Sequence, residues 1–177
     1  MHAVERCLKR MKRSIDGYTG KTIQVVGDEL LGAFETPEDA CQAAIDMQQR
    51  IADLPPVSGL KLTIRIGLHC GEVADDGKKL TGPAVATAAR IAGIARRDQI
   101  LCSSLLVKAL GETSFISADP VPELGSVTEE GVALSLFQIN WPSYQGATAN
   151  SAHSTFGPSS TTPIERLCVR YRGKAFL

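Results

Sequence analysis

No stretch of this 177-residue sequence approaches the roughly 20 consecutive apolar residues that a membrane-spanning helix needs. The start, "MHAVERCLKRMKRSID", is basic but has no apolar core of the signal-peptide kind, which argues against secretion. Charge of one sign is not in excess either. Lys plus Arg and Asp plus Glu number 19 each, so no overall field draws the chain to nucleic acid or to an anionic membrane. Cys7, Cys41, Cys70, Cys102 and Cys168 are scattered and form no C-x-x-C pair. That excludes a disulfide framework and a zinc ribbon, and points to reduced thiols in a cytoplasmic protein. No internal repeat is visible.

What is present is the composition of a globular domain, 44% hydrophobic and 21% charged. Val4, Leu8, Met11, Ile15 and Tyr18 recur at helical spacing, predicting an amphipathic helix over 3–17. Its other face carries Arg6, Lys9, Arg10, Lys12 and Arg13, a solvated face or a phosphate-facing one. "KTIQVV" and "LLGAFE" read as two strands joined at Gly27-Asp28, because Gly tolerates the positive φ of a tight hairpin. Thr36 with Pro37 and Asp39 marks a helix start: a capping hydroxyl, a proline in the first turn, and an acid near the positive helix end. Residues 60–68, "LKLTIRIGL", alternate as a half-buried strand, with Leu62, Ile64 and Ile66 on one side and Lys61, Thr63 and Arg65 on the other. A helix "AVATAARIAGIARR", a strand "QILCS", a short helix "SLLVKAL" and a last strand "VALSLFQI" follow. Alternation of this kind predicts helices packed on a sheet. Nothing strand-like precedes the first helix. Residues 141–163 are rich in Ser, Thr, Gly and Pro and carry no Asp, Glu, Lys or Arg, the composition of a flexible linker. Residues 164–177 alternate again, like the opening of a further domain.

Asp28-Glu29 interrupts an apolar run, "VVGDELLGAF". Two solvated turn carboxylates fit this, and so does a carboxylate held at a strand end for a metal or a proton. His69 reads as a satisfied or exposed histidine and Cys70 as packing. Lys78-Lys79, after Asp75-Asp76-Gly77, reads as a polar hairpin tip.

Taken together, "IQVVGDELLGAFETPEDACQAAIDMQQRIA", "LKLTIRIGLHCGEV", "TGPAVATAARIAGIARRDQILCS" and "LSLFQI" resemble the class III nucleotide cyclase catalytic domain, the adenylate and guanylate cyclase homology domain. The resemblance covers residues 4–140 in colinear order. It implies an α+β, ferredoxin-like core, a mainly antiparallel sheet with helices on one face, here with its first strand missing. The end, "ERLCVRYRGKAFL", resembles the start of a forkhead-associated, phosphothreonine-reading domain.

The resemblance implies a chemistry. The 3′-hydroxyl of a nucleoside triphosphate attacks its own α-phosphate and expels pyrophosphate. Two Mg or Mn ions, about 4 Å apart, activate the hydroxyl and neutralise the phosphates. Two aspartates hold them, an asparagine and an arginine one helical turn apart stabilise the transition state, and a lysine and an aspartate select the purine. Sites form between two subunits of a homodimer or heterodimer.

By the same resemblance Asp28 is one metal aspartate, and the other belongs to the strand that is missing. Arg90 is the transition-state arginine, or else a surface cation beside Arg96 and Arg97. Ala86 replaces the asparagine, Gln24 the purine lysine, and Lys79 the purine aspartate. No lysine lies between Lys108 and Lys174, where a phosphate-binding one is implied. Three readings follow: a catalytically impaired, dimerising regulatory module for ATP or another nucleoside triphosphate in cyclic-nucleotide signalling; an active adenylate cyclase completed by a partner or an upstream segment; and a scaffold for a phosphothreonine-binding adaptor. Loss of a central strand predicts poor stability or recruitment of a substitute strand.

Overall fold

The computed structural model describes residues 2–57, 59–76, 79–142 and 167–174. Helix α1 (His2–Gly17) leads into the hairpin β1 (Lys21–Val26) and β2 (Glu29–Phe34), then α2 (Pro37–Ala52) and β3 (Thr63–Cys70). A two-stranded hairpin, β4 (Ala74–Asp75) and β5 (Leu80–Thr81), precedes α3 (Pro83–Ile94). Strand β6 (Ile100–Ser103), α4 (Ser104–Leu110), β7 (Ala118–Pro120), a 3-10 turn (Pro122–Leu124), β8 (Ser126–Glu129) and β9 (Val132–Ile139) follow, and β10 (Leu167–Lys174) comes last. Most of the expected linker, 143–163, lies outside the described residues.

Local chemistry accounts for the helix starts. The Thr36 hydroxyl accepts from the Asp39 amide at 3.1 Å and donates to the Asp39 carboxylate at 2.9 Å, which satisfies an orphan donor of the first turn. Pro37 and Pro83 sit in the first turns of α2 and α3, where their missing N–H costs nothing. Ser103 caps α4, accepting from the Leu106 amide.

The main sheet runs β1-β2-β10-β3-β6-β9-β7, with β8 paired to β9. All its pairings are antiparallel except β3 with β6. It is therefore an α+β sheet of the expected kind, and its third position is filled by the last strand in the chain. Without β10, β2 and β3 would face each other across a one-strand gap. A substitute strand is what this sheet has. Leu167–Lys174, expected at the opening of a further domain, pairs along its whole length with β3.

Helices lie on both faces, not one. Helices α1, α2 and α4 enclose the larger core, where Met11, Ile15, Met47 and Ile51 meet Leu30, Phe34, Ile64, Ile66, Leu68 and Ile100. Helix α3 covers the opposite face, packing Ile91 and Ala95 with Leu101 and Leu136, and Ala88 with Leu31 and Ala33. The reason is visible in the strands: β2 and β6 are buried at successive positions, Leu30-Leu31 and Ile100-Leu101, so both faces need a cover. Gly67 makes the close approach possible. A Cβ there would stand 2.6 Å from the Ala88 carbonyl oxygen and would also strike the Ala92 amide nitrogen.

Candidate functional site

The β1–β2 hairpin presents Asp28. Gly27 takes φ +59° and Asp28 does not take positive φ, the signs of a type II′ turn whose twist suits flanking antiparallel strands. Asp28 is half-buried beside the first residue of β2. Gln24 lies exposed on β1, next to a bulge that lets Ile23 turn toward Val73 and Val85. Gln24 and Glu29 line a groove of only about 60 Å³ with Val26, Leu31 and Val85. Lys79 closes the β4–β5 hairpin: its amide donates to the Asp76 carboxylate at 2.7 Å, and its side chain is exposed.

Ala86 and Arg90 share the outer, exposed face of α3, one turn apart, as their spacing implies. Arg90 is not a loose surface cation. Its Nη2 donates to the Thr87 hydroxyl at 3.2 Å, and Thr87 donates to Glu129 Oε1 at 3.2 Å. The other carboxylate oxygen, Oε2, lies 2.9 Å from His69 Nε2, and His69 Nδ1 lies 2.8 Å from the Ser103 hydroxyl. His69, Thr87 and Ser103 are fully buried. Burial holds the imidazole below its usual pKa. The Glu129 charge and hydrogen bond oppose this shift, and the Arg90 charge adds to it. The neutral ring then has one consistent arrangement: Ser103 O–H donates to Nδ1, and Nε2–H donates to Glu129. Every donor in the chain from Arg90 to Ser103 points toward an acceptor.

This network joins α3, β3, β8 and the start of α4. Of its members sequence reasoning singled out Arg90 and His69 and passed over Thr87, Ser103 and Glu129. The one signal available was positional: His69 shares a strand face with Arg65 and Gly67, the face that α3 covers. Beside Glu129 lies an open cavity of about 630 Å³ lined by Cys70, Glu72, Leu105, Lys108, Glu129 and Glu130. Glu130 and Gly131 both have positive φ, +46° and +83°, the pattern of a type I′ turn.

Asp28 stands at the β1–β2 turn, and Arg90 on α3 reaches the Thr87–Glu129 pair.

A metal pair does not fit the donors present. Among the described residues no group of three or more His, Cys, Asp or Glu side chains is placed to hold a metal ion. The strand that completes the sheet, "LCVRYRGK", contains no carboxylate, and its register sets Arg172 opposite Glu29 on one side and Arg65 on the other. The register of β10 therefore sets no Asp or Glu beside Asp28 and Glu29.

The thiols match expectation where they are described. Cys7, Cys41, Cys70 and Cys102 are buried thiols. Burial pushes Cys41 up strongly and Cys102 up to about 12, so both are inert thiols. Among the described residues no helix is long and apolar enough to cross a membrane.

Comparison with known proteins places this geometry. No family model matches the chain. Uncharacterized proteins of Mycobacterium tuberculosis and Mycobacterium bovis are 33% identical to it over 78 residues, 44% of this chain, which spans a quarter of their length. Among solved structures, adenylate cyclases of Trypanosoma brucei in their monomeric state align over 84% of this chain and 82% of theirs, at 19% identity and a TM-score of 0.66. The guanylate cyclase domain of a Catenaria anguillulae protein, solved in complex with GTP, aligns over 78% of this chain and 82% of its own, at 17% identity and a TM-score of 0.62. An adenylate/guanylate cyclase/hydrolase of Silicibacter pomeroyi aligns over 75% of this chain and 78% of its own, at 21% identity and a TM-score of 0.63. The chain has the fold of the class III adenylate and guanylate cyclase domain.

Proposed function

We propose that this chain is a catalytically impaired nucleotide cyclase homology domain that dimerises and binds a nucleoside triphosphate as a regulatory module in cyclic-nucleotide signalling. One observation carries the reading: the strand that completes the sheet beside Asp28 brings Arg172 and no carboxylate. A two-metal mechanism needs two carboxylates that bridge the ions. Here one is present, and the sequence of the strand that pairs beside it contains no Asp or Glu. Ala86 adds to the deficit. A methyl group cannot donate to a developing phosphate charge, and losing one such donor costs about 3 kcal/mol, or a hundredfold or more in rate. Lys79 stands where the resemblance asks for an acceptor.

Dimerisation is supported by the resemblance, which implies sites formed between two subunits. Two copies arranged head to tail would set the hairpin of one against α3 of the other, each contributing to a shared cleft. The groups this chain lacks favour a second reading, a working cyclase completed by a different subunit that supplies them. The purified chain, mixed with ATP or GTP and Mn2+, tests the first reading. The expected result is a dimer by sedimentation and no cyclic nucleotide above the protein-free control. Turnover that disappears in Asp28→Ala would overturn the impaired-domain reading.

A further inference from the structure

We infer that the groove at the end of the sheet where β6 begins and β9 ends is a binding site for a planar carboxylate, with Arg96 and Gln138 taking the carboxylate oxygens and the Trp141 ring flanking the planar part. The groove has a volume of about 280 Å³. It lies at the far end of β9 from Glu129, which pairs with Val132 at the start of that strand. It shares no residue with the positions that the resemblance assigns or with the His69 network, so it stands whether or not the chain binds a nucleotide.

A relay of hydrogen bonds fixes what the groove offers. The Arg96 amide donates to Gln99 Oε1 at 2.8 Å, which settles the orientation of that side-chain amide. Gln99 Nε2 must then be the donor to Gln138 Oε1, at 2.7 Å. Gln138 is half-buried, and its Nε2 is left with two N–H donors and no acceptor among the described residues. The Arg96 guanidinium is exposed at the same groove and has no hydrogen-bond or ion-pair partner among them either. Trp141, the one tryptophan of the chain, completes the wall. Its Nε1–H donates to the Asp98 carbonyl at 2.9 Å, which pins the half-buried ring. Asp98 presents this carbonyl from a left-handed backbone, φ +57°, and its amide is tied to the Ile64 carbonyl at 3.0 Å.

Open donors that converge on one groove call for an anion. A guanidinium fork matches the two oxygens of a carboxylate, and an aromatic ring takes a planar group by stacking. The Asp98 carboxylate opposes the ligand. Burial pushes its pKa up while the charges of Lys61 and Arg97 act the other way, so those two cations offset part of the repulsion.

Because Trp141 is the sole tryptophan, its fluorescence in the full chain reports this groove. Titration with benzoate should change the emission saturably, with a Kd of about 1 mM for a ligand of this size. Benzamide lacks the charge and cyclohexanecarboxylate lacks the plane, and each should bind at least about fivefold more weakly. Arg96→Gln should weaken benzoate about tenfold, the loss of a charge-assisted hydrogen bond. Gln138→Glu keeps the acceptor for Gln99, puts a carboxylate oxygen in place of the open donor, and should abolish binding. Asp98→Asn keeps both backbone bonds, tolerates the left-handed φ, and should tighten binding about threefold by removing a like charge. Two losses and one gain, at unchanged urea midpoints, are a pattern that general loosening of the structure does not produce. Emission that is unchanged, or that changes in proportion to benzoate without saturating, would overturn the inference. So would equal affinity for benzamide, weaker binding in Asp98→Asn, or an equal loss in Arg13→Gln on α1, which would make the effect one of overall charge.

Discussion

Removing Glu129 should be the most damaging single truncation of a polar side chain in this domain. Its two oxygens are the acceptors for His69 Nε2–H and the Thr87 hydroxyl, and both donors are fully buried. In Glu129→Ala neither donor has a replacement from the protein. A hydrogen bond to a charged acceptor is worth about 1.5–3 kcal/mol, and an orphaned buried donor costs a similar amount. Two full losses would come to about 3–6 kcal/mol. The Glu129 side chain is 13% exposed and lines the open cavity, so water can enter the vacated space and serve one of the two donors. The expected loss is therefore about 2–4 kcal/mol. Urea unfolding reads this directly. With an m value of about 2 kcal/mol/M, the midpoint falls by about 1–2 M at unchanged m. NMR titration of His69 gives an independent readout. Glu129 favours the charged imidazole, so its removal should lower the His69 pKa further. A midpoint shift below about 0.3 M, or a His69 pKa that rises, would refute the network as described.

Other consequences follow from the same geometry. Because burial lowers the folded pKa of His69 below its unfolded value, the unfolded chain takes up a proton first on acidification. Stability should be full above about pH 6.5 and decline as pH drops below it; urea midpoints at pH 7.5, 6.5 and 5.5 should show the decline, and His69→Gln should flatten it. Gly67→Ala places a methyl against the backbone of α3, which cannot rotate away as a side chain can, and should cost about 2–3 kcal/mol by thermal unfolding. Wild-type stability in that variant would mean that α3 does not rest on Gly67. Thr36→Ala should remove about 1 kcal/mol through loss of the α2 cap, measured in the same way.

The sequence made some of this architecture legible and hid the rest for physical reasons. Thr36-Pro37-Asp39 and Gly27-Asp28 act through their own hydrogen bonds and φ values, so the start of α2 and the first hairpin could be read from neighbours alone. Ala86 and Arg90 could be placed on one face of α3 because helical period fixes that relation. The strands "ADP" and "SVTE" are short and polar, and exist because β9 offers them a ladder. The expectation of helices on a single face failed at β3, where Arg65 and Thr63 suggested solvent while Gly67 and His69, two and four residues beyond Arg65, lie under α3. The His69 network was out of reach altogether. Its contacts span 34, 42 and 60 residues of chain, and nothing local at Ser103, Thr87 or Glu129 announces a partner. The central place of β10 was hidden in the same way. Its pairing with β2 and β3 joins residues about 100 to 140 positions apart, and no local pattern in "LCVRYRGK" announces either neighbour.

Both the completed sheet and the impaired-domain reading require β10 to lie between β2 and β3 in the register that sets Arg172 beside Glu29. Amide hydrogen exchange across Leu167–Lys174, with backbone cross-strand NOEs to β2 and β3, measures this directly. The expected result is protection of the Val169 and Tyr171 amides comparable to that of Ile66 and Leu68, with backbone NOEs linking Arg172 to Glu29 and Arg65. Exchange of those amides at the rate of an unstructured peptide, with no cross-strand contact, would contradict it.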